Sequence, residues 1–236
     1  MHFLLTNDDG IHAPGLAALE NAVRTIPGAT YSVVAPATEQ SQCGHRVTTR
    51  EVLTATQLDL ARFCVDGTPA DCVRIALFAL GLRPDYVLSG VNAGGNMGQD
   101  LYISGTVAGA REAAFHGIPA LAVSHYLIKE LPLDWQVVTQ WTSTVLAELL
   151  PQPLADAEYW NVNFPHLPTE RISGTPERIL THPCRAPLNV SYASTSLADG
   201  ISRHRYTATY SSRPAGPGSD VEVCFGGQIA ISRVRL

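Results

Sequence analysis

Short apolar runs alternate along this chain with stretches in which apolar residues recur every three or four positions. Residues 2–6 form an apolar run that stops at Asn7-Asp8-Asp9-Gly10, which predicts a buried strand ending in a turn. From Pro14 to about Ile26, Leu16, Leu19, Ala22, Val23 and Ile26 fall at helical spacing, and proline in a first helical turn costs no hydrogen bond. Residues 31–35 predict a second strand closed by Pro36, followed by a polar loop over 37–49. Residues 52–65 predict a hairpin or sheet edge. A helical pattern returns over 69–81, with Thr68 as N-cap and Gly81 just past the end. Residues 85–90 predict another buried strand, and the glycine-rich loop 91–98 follows it. Ser104-Gly105-Thr106 opens a helix to about His116, 118–124 is a strand, 133–150 a long helix and 160–164 the last core strand.

Strands alternating with helices at this spacing predict an α/β fold, a Rossmann-like, doubly wound and mostly parallel sheet with right-handed crossovers. After Pro165 the chain turns rich in Ser, Thr, Pro, Arg and Gly, with β-like pieces at 205–210, 221–225 and 228–231. The expected organisation is a Rossmann-like core over 1–165 and a β-rich extension over 166–236. The extension is too polar to build a strong core, so its strands need partners, which a second copy of the chain would supply.

Composition narrows the partners. The 236 residues carry a formal charge of −5 with no Lys/Arg cluster, which argues against a nucleic-acid polymer or a membrane surface. The first polar residues come too early for a leader-peptide core, and no apolar stretch approaches a membrane span. The five cysteines are odd in number and form no CxxC pair, so reduced thiols and a cytoplasmic location are expected.

In an open parallel sheet, ligands bind where loops leave the carboxyl ends of strands near a reversal of strand order. Three such loops carry unusual polar residues: 7–10, 39–45 and 92–106. Adjacent carboxylates at Asp8 and Asp9 repel one another unless a cation or proton intervenes, although a capped turn is the simpler reading of an isolated Asn-Asp-Asp-Gly. Ser41 and Asn92 at matching strand ends complete an all-oxygen set suited to Mg²⁺, Mn²⁺ or Ca²⁺ and poor for zinc. The loop 92–98 leads to Ser104-Gly105-Thr106, where free amides and the helix dipole favour an anion. A cation set facing an anion-binding helix end is the layout of a phosphoryl-transfer site.

The segments TNDDGIHAPG (6–15), VDGTPADCV (65–73), SGVNAGGNMG (89–98) and SGTVAGAREAAFHGIPALAVS (104–124) closely resemble, in order and spacing, the motifs of the SurE survival-protein family. Weaker echoes occur at Asn161-Val162-Asn163-Phe164-Pro165 and Gly218-Ser219-Asp220-Val221. The resemblance implies a divalent-cation-dependent phosphatase acting on nucleoside 5′- and 3′-monophosphates, with exopolyphosphatase activity in some members. It implies metal ligands at Asp8, Asp9, Ser41 and Asn92, holding one Mg²⁺ or Mn²⁺ per subunit, and phosphate-side residues at Asn96, Ser104, Gly105 and Thr106. Asp8, Asp9 and Asn96 are then the expected catalytic group, with Asp9 the candidate to orient or deprotonate water and Asp8 not separable from it. The resemblance also implies a homodimer or homotetramer. The chain departs from the family pattern at Ile103, where many relatives have Tyr, and at Cys43 in the Ser41 loop.

His12 and His45 flank the expected site and could serve the leaving group, although loop histidines are more often capping or surface residues. Asp66, Asp71, Arg74 and Arg111 read as caps or structural pairs. No Gly-x-Ser-x-Gly elbow is present, and the arginines after Cys43 do not fit a cysteine-phosphatase loop. A nucleotide-binding module without turnover is the rival reading. A sugar-nucleotide transferase would need a larger second domain.

Overall fold

The computed structural model describes residues 1–236. Five apolar segments form its parallel centre: β1 (His2–Thr6), β2 (Thr30–Pro36), β5 (Tyr86–Ala93), β6 (Ala120–His125) and β7 (Glu158–Phe164). Their interiors are almost wholly buried because helices cover both faces of the sheet, so they read as continuous rather than alternating apolar runs. Helices α1 (Pro14–Arg24) and α5 (Trp135–Leu149) close one face through Leu16, Leu19, Val138, Trp141 and Val145, packed on Phe3, Leu5 and Leu88. Helices α2 (Pro69–Arg74) and α4 (Gly105–Phe115) close the other through Cys72, Val73, Val107 and Ala110 on Leu4, Val34 and Val87. Thr68 caps α2 in a reciprocal pair with Asp71, as expected from the sequence. The helix goes on as a π-type turn over Ile75–Ala79.

The predicted edge hairpin is present as β3 (Ala55–Asp59) and β4 (Arg62–Val65), with β4 parallel to β2. The full strand order is β3-β4-β2-β1-β5-β6-β7-β11-β8, where β8 is Arg178–Thr181 and β11 is Ile229–Arg235. The chain thus winds outward from β1 through β2 and β4, then returns to β1's other side at β5. Loops from the carboxyl ends of β1 and β5 therefore diverge and open a crevice between them.

The segment after Pro165 differs from expectation in three ways. Residues 221–225 lie in a helix, α6 (Asp220–Phe225), because the Ser219 hydroxyl accepts from Glu222 N and starts a helical turn that sets Val221 and Cys224 into a small core with Met97. The strand read at 228–231 is longer, running to Arg235 because it pairs antiparallel with β7 from Ala230 to Arg235. The piece at 205–210 pairs only to Tyr206: β9 (Tyr192–Ser196) and β10 (Ser202–Tyr206) form a separate hairpin with every strand residue exposed. A short helix the pattern did not predict, α3 (Asp100–Ile103), precedes Ser104. All five cysteines are free thiols, and no helix is long and apolar enough to cross a membrane.

Candidate active site

Asp8 and Asp9 leave the carboxyl end of β1, where the Asn7 side-chain amide donates to Gly10 O at 2.9 Å and shapes the turn. Asp8 is buried, and the Thr106 hydroxyl in the first turn of α4 donates to its Oδ1. Gly105 is needed at that contact, since a Cβ there would lie 2.9 Å from Asp8 Cβ and 2.8 Å from Cys43 Sγ. The amino end of α4 therefore sits against the Asp8 carboxylate. Ser104 caps α4, its hydroxyl accepting from Val107 N at 3.1 Å.

Asp9 Oδ2 accepts from Ala93 N at 3.1 Å, which ties the β1 turn to the end of β5. Beside it, the Asn92 side-chain amide donates to Gly94 O at 2.7 Å. The structure thus brings Asp8 together with Gly105 and Thr106, and Asp9 to the end of β5 beside Asn92. Ser41 stays on an exposed loop and donates to Glu39 at 2.5 Å; that loop reaches Asp8 through its backbone, with Gln40 N on Asp8 O at 2.7 Å. Asn96 is buried deeper, its amide nitrogen donating to Ser124 Oγ at 2.8 Å.

Burial pushes the Asp8 carboxyl up to about 6 despite the Thr106 hydrogen bond, and the charge of Asp9 adds to the rise. Asp9 is raised by burial and by Glu39, against the Ala93 amide. Burial and the Asp8 charge raise the Cys43 thiol, which keeps it protonated and unsuited to nucleophilic attack at neutral pH.

His12 is exposed and makes no side-chain hydrogen bond. His45 has both ring nitrogens engaged: Arg111 Nε donates to Nδ1 at 2.7 Å, and Nε2 meets Glu112 Oε2 at 2.6 Å. It anchors the Ser41 loop to the side of α4. Glu112 is fully buried and also receives Arg74 at 2.6 Å and His116 at 2.9 Å. Burial alone would raise this carboxyl, but the hydrogen bonds from His45, Arg74 and His116 outweigh it and hold it at about 2. Its stabilising effect is complete above the usual value of 4.5 and is lost as pH falls from there toward 2. Glu112→Gln is expected to lose about 3 kcal/mol at pH 7, because three cationic or polar partners lose their countercharge. Urea melts at pH 7 and pH 3 check this, with the deficit shrinking at the lower pH; an equal deficit at both would rule out the charge as its origin.

Asn161 and Asn163, which the sequence marks only as a weaker family echo, grip the loop 95–98. Asn96 N donates to Asn163 Oδ1 at 2.8 Å, and the side-chain amides of Asn161 and Asn163 donate to Asn96 O at 2.9 and 3.0 Å. Their signal was visible in WNVNF, where two asparagines two residues apart must share one face of a buried strand.

The family profile described as Survival protein SurE matches residues 3–186. A protein of Nostoc sp., provisionally named a 5′-nucleotidase, is 46% identical over 236 residues, covering 100% of both chains. A protein of Paramagnetospirillum magneticum named 5′-nucleotidase SurE is 36% identical over 234 residues, covering 98% of this chain and 88% of its own. The crystal structure of a SurE protein from Aquifex aeolicus superposes with a TM-score of 0.85 at 30% identity, covering 100% of this chain and 93% of its own.

Proposed function

This chain belongs to the SurE family, and we propose that it is a divalent-cation-dependent hydrolase that releases phosphate from nucleoside 5′- and 3′-monophosphates. The observation that carries the reading is Asp8 against the amino end of α4, with Asp9 beside it tied to the end of β5, where strand order reverses. The names of its relatives support the nucleotidase activity.

The residues present fit a hard dication. Asp8 Oδ2, Asp9 Oδ1 and Asn92 Oδ1 carry no hydrogen bond from the protein, and the raised Asp8 carboxyl marks a negative charge that lacks compensation. Asp8, Asp9, Asn92 and Ser41 would hold one Mg²⁺ or Mn²⁺ per subunit. When bound, such a cation supplies positive charge against the phosphoryl oxygens and lowers the pKa of water. The chain's own residues do the rest. The amides of Gly105 and Thr106 donate to a phosphoryl oxygen along the helix dipole, with the Ser104 cap fixing their direction. The second amide hydrogen of Asn96, beyond the one given to Ser124, holds another. Asp9, less enclosed than Asp8, orients the attacking water and takes its proton.

A panel of nucleoside 5′- and 3′-monophosphates and polyphosphate, assayed for phosphate release, tests the substrate reading. Turnover of the monophosphates is expected, and phosphate release from polyphosphate would add exopolyphosphatase activity. Nucleotide binding without release would favour the module without turnover. In Asn96→Ala and Ser104→Ala, turnover is expected to fall about a hundredfold, the usual scale for one preorganised donor; near-normal rates in both would move the phosphate elsewhere.

We assign self-association to residues 166–236, as a dimer or tetramer. The β9–β10 hairpin pairs only with itself and exposes Tyr192, Ile201 and Tyr206. Light scattering at micromolar concentration is expected to give a multiple of the chain mass, and a monomer mass would refute the assignment. The five free cysteines support a cytoplasmic location.

A further inference from the structure

We infer that Tyr210, Arg213 and Asp220 are positioning residues that set the shape of the phosphate-side loop at Asn96, so that the segment after β8 belongs to the active site. The inference rests on the phosphate reading above. Three polar backbone atoms of that loop are held from this segment. The Tyr210 hydroxyl donates to Gly95 O at 2.8 Å, Arg213 Nη1 donates to Met97 O at 3.1 Å, and Gly98 N donates to Asp220 Oδ2 at 2.8 Å. The partners lie more than a hundred residues apart in sequence, so the contacts do not arise from local chain folding.

The segment is itself braced. Asp100, at the start of α3, takes two hydrogen bonds from Arg213, at 2.6 and 3.0 Å, and its Oδ2 lies 2.8 Å from the Tyr210 hydroxyl, which shares its one hydrogen between this oxygen and Gly95 O. The Arg213 guanidinium lies 3.8 Å from the centre of the Tyr210 ring. Asp220 also accepts from Cys184 N at 2.8 Å, joining the strand-end region beyond β8 to the loop. Asp220 is fully buried, and the side chains of Arg213 and Asp100 are only 8% and 10% exposed.

Burying an ion pair and a further carboxylate adds little net stability, because desolvation offsets the attraction between the charges. Such groups do fix a backbone in one arrangement. Here that backbone is the loop from Gly95 to Gly98, held on its opposite side by Asn161 and Asn163. With its main chain gripped from both sides, Asn96 can present its side chain at a fixed position. A Cβ at Gly95 would come within 2.8 Å of the Tyr210 oxygen, so the two surfaces are already in full contact.

The test uses the full chain with Mn²⁺ and three variants: Tyr210→Phe, Asp220→Asn and Asp220→Ala. The readouts are KM for a nucleoside monophosphate, the inhibition constant of inorganic phosphate, the Mn²⁺ concentration at half-activity and the melting temperature. In Tyr210→Phe and Asp220→Asn, KM and the phosphate inhibition constant are expected to rise together, on the order of tenfold, with the Mn²⁺ requirement unchanged. Asp220→Ala is expected to be worse than Asp220→Asn, which keeps one acceptor oxygen. A lowered melting temperature with unchanged phosphate inhibition would make these residues merely structural and overturn the inference. If Asp220→Ala does not fold, Tyr210→Phe, which removes one hydroxyl and no charge, decides. Wild-type protein that neither turns over nucleotides nor is occupied by phosphate would sink the phosphate reading and the inference together, whereas active wild type with unaffected variants sinks the inference alone.

Discussion

In Asp8→Asn, turnover with Mn²⁺ is expected to fall about a thousandfold while the chelated protein becomes more stable, not less. The loss of rate corresponds to about 4 kcal/mol of transition-state charge stabilisation. The gain in stability follows from the buried carboxylate. The native Asp8 group titrates at about 6 against an ordinary value of 3.8. Between those values the native state binds a proton that the unfolded chain has already released, so stability falls as pH rises through the window. The full effect, present above about pH 6, is a cost of about 3 kcal/mol. Asparagine does not titrate, and its oxygen still accepts from Thr106. Stability curves of the EDTA-treated proteins from pH 4 to pH 8 should therefore diverge, the wild type declining and the variant staying level. Adding Mn²⁺ should raise the wild-type melting temperature, since a ligand of the native state contributes about 2.7 kcal/mol at a hundred times its dissociation constant. In the variant that rise should nearly vanish. If Asp8 only capped a turn, the variant would be less stable at every pH and would keep the full Mn²⁺ response.

Truncation after Pro165 is expected to abolish soluble folded protein. The cut removes β11 from β7 and leaves the edge of β7 unpaired along its length. It also removes Val221, Ile229 and Ile231, all buried, each worth about 1.5–3 kcal/mol of apolar burial. That sum is comparable with the whole stability of an ordinary domain. A shorter deletion confined to 192–206 takes away only the exposed hairpin and should leave a folded chain. Circular dichroism and urea melts separate the two deletions, and a cooperatively folding 1–165 fragment would show that the extension is dispensable to the sheet.

The parallel core was legible because strands covered on both faces leave uninterrupted apolar runs, and those runs stop where Asn7, Pro36 and Asn92 begin the loops. The helix starts at Pro14, Thr68 and Ser104 were legible from local capping chemistry, which needs only a few residues of context. The extension was not. VEVCF alternates like a strand, and Ser219 as a cap for Glu222 N turned it into α6. That β11 enters the main sheet depends on β7, some seventy positions earlier, and no periodicity encodes such a pairing. For the same reason the crowded carboxylates Asp8 and Asp9 could be read directly, whereas the grip of Tyr210, Arg213 and Asp220 on the Asn96 loop could not. His45 was ambiguous in sequence because a histidine beside a site looks alike whether it faces substrate or, as here, Arg111 and Glu112.

Dependence on a cation held by Asp8 and its neighbours is what the mechanism requires. It is tested most directly by stripping the full chain with a chelator, removing the chelator, and following phosphate release from a nucleoside 5′-monophosphate during a Mn²⁺ titration. No turnover is expected at the start, followed by a saturable recovery at one cation per subunit. Full turnover in the stripped protein, unchanged by added Mn²⁺, would contradict it.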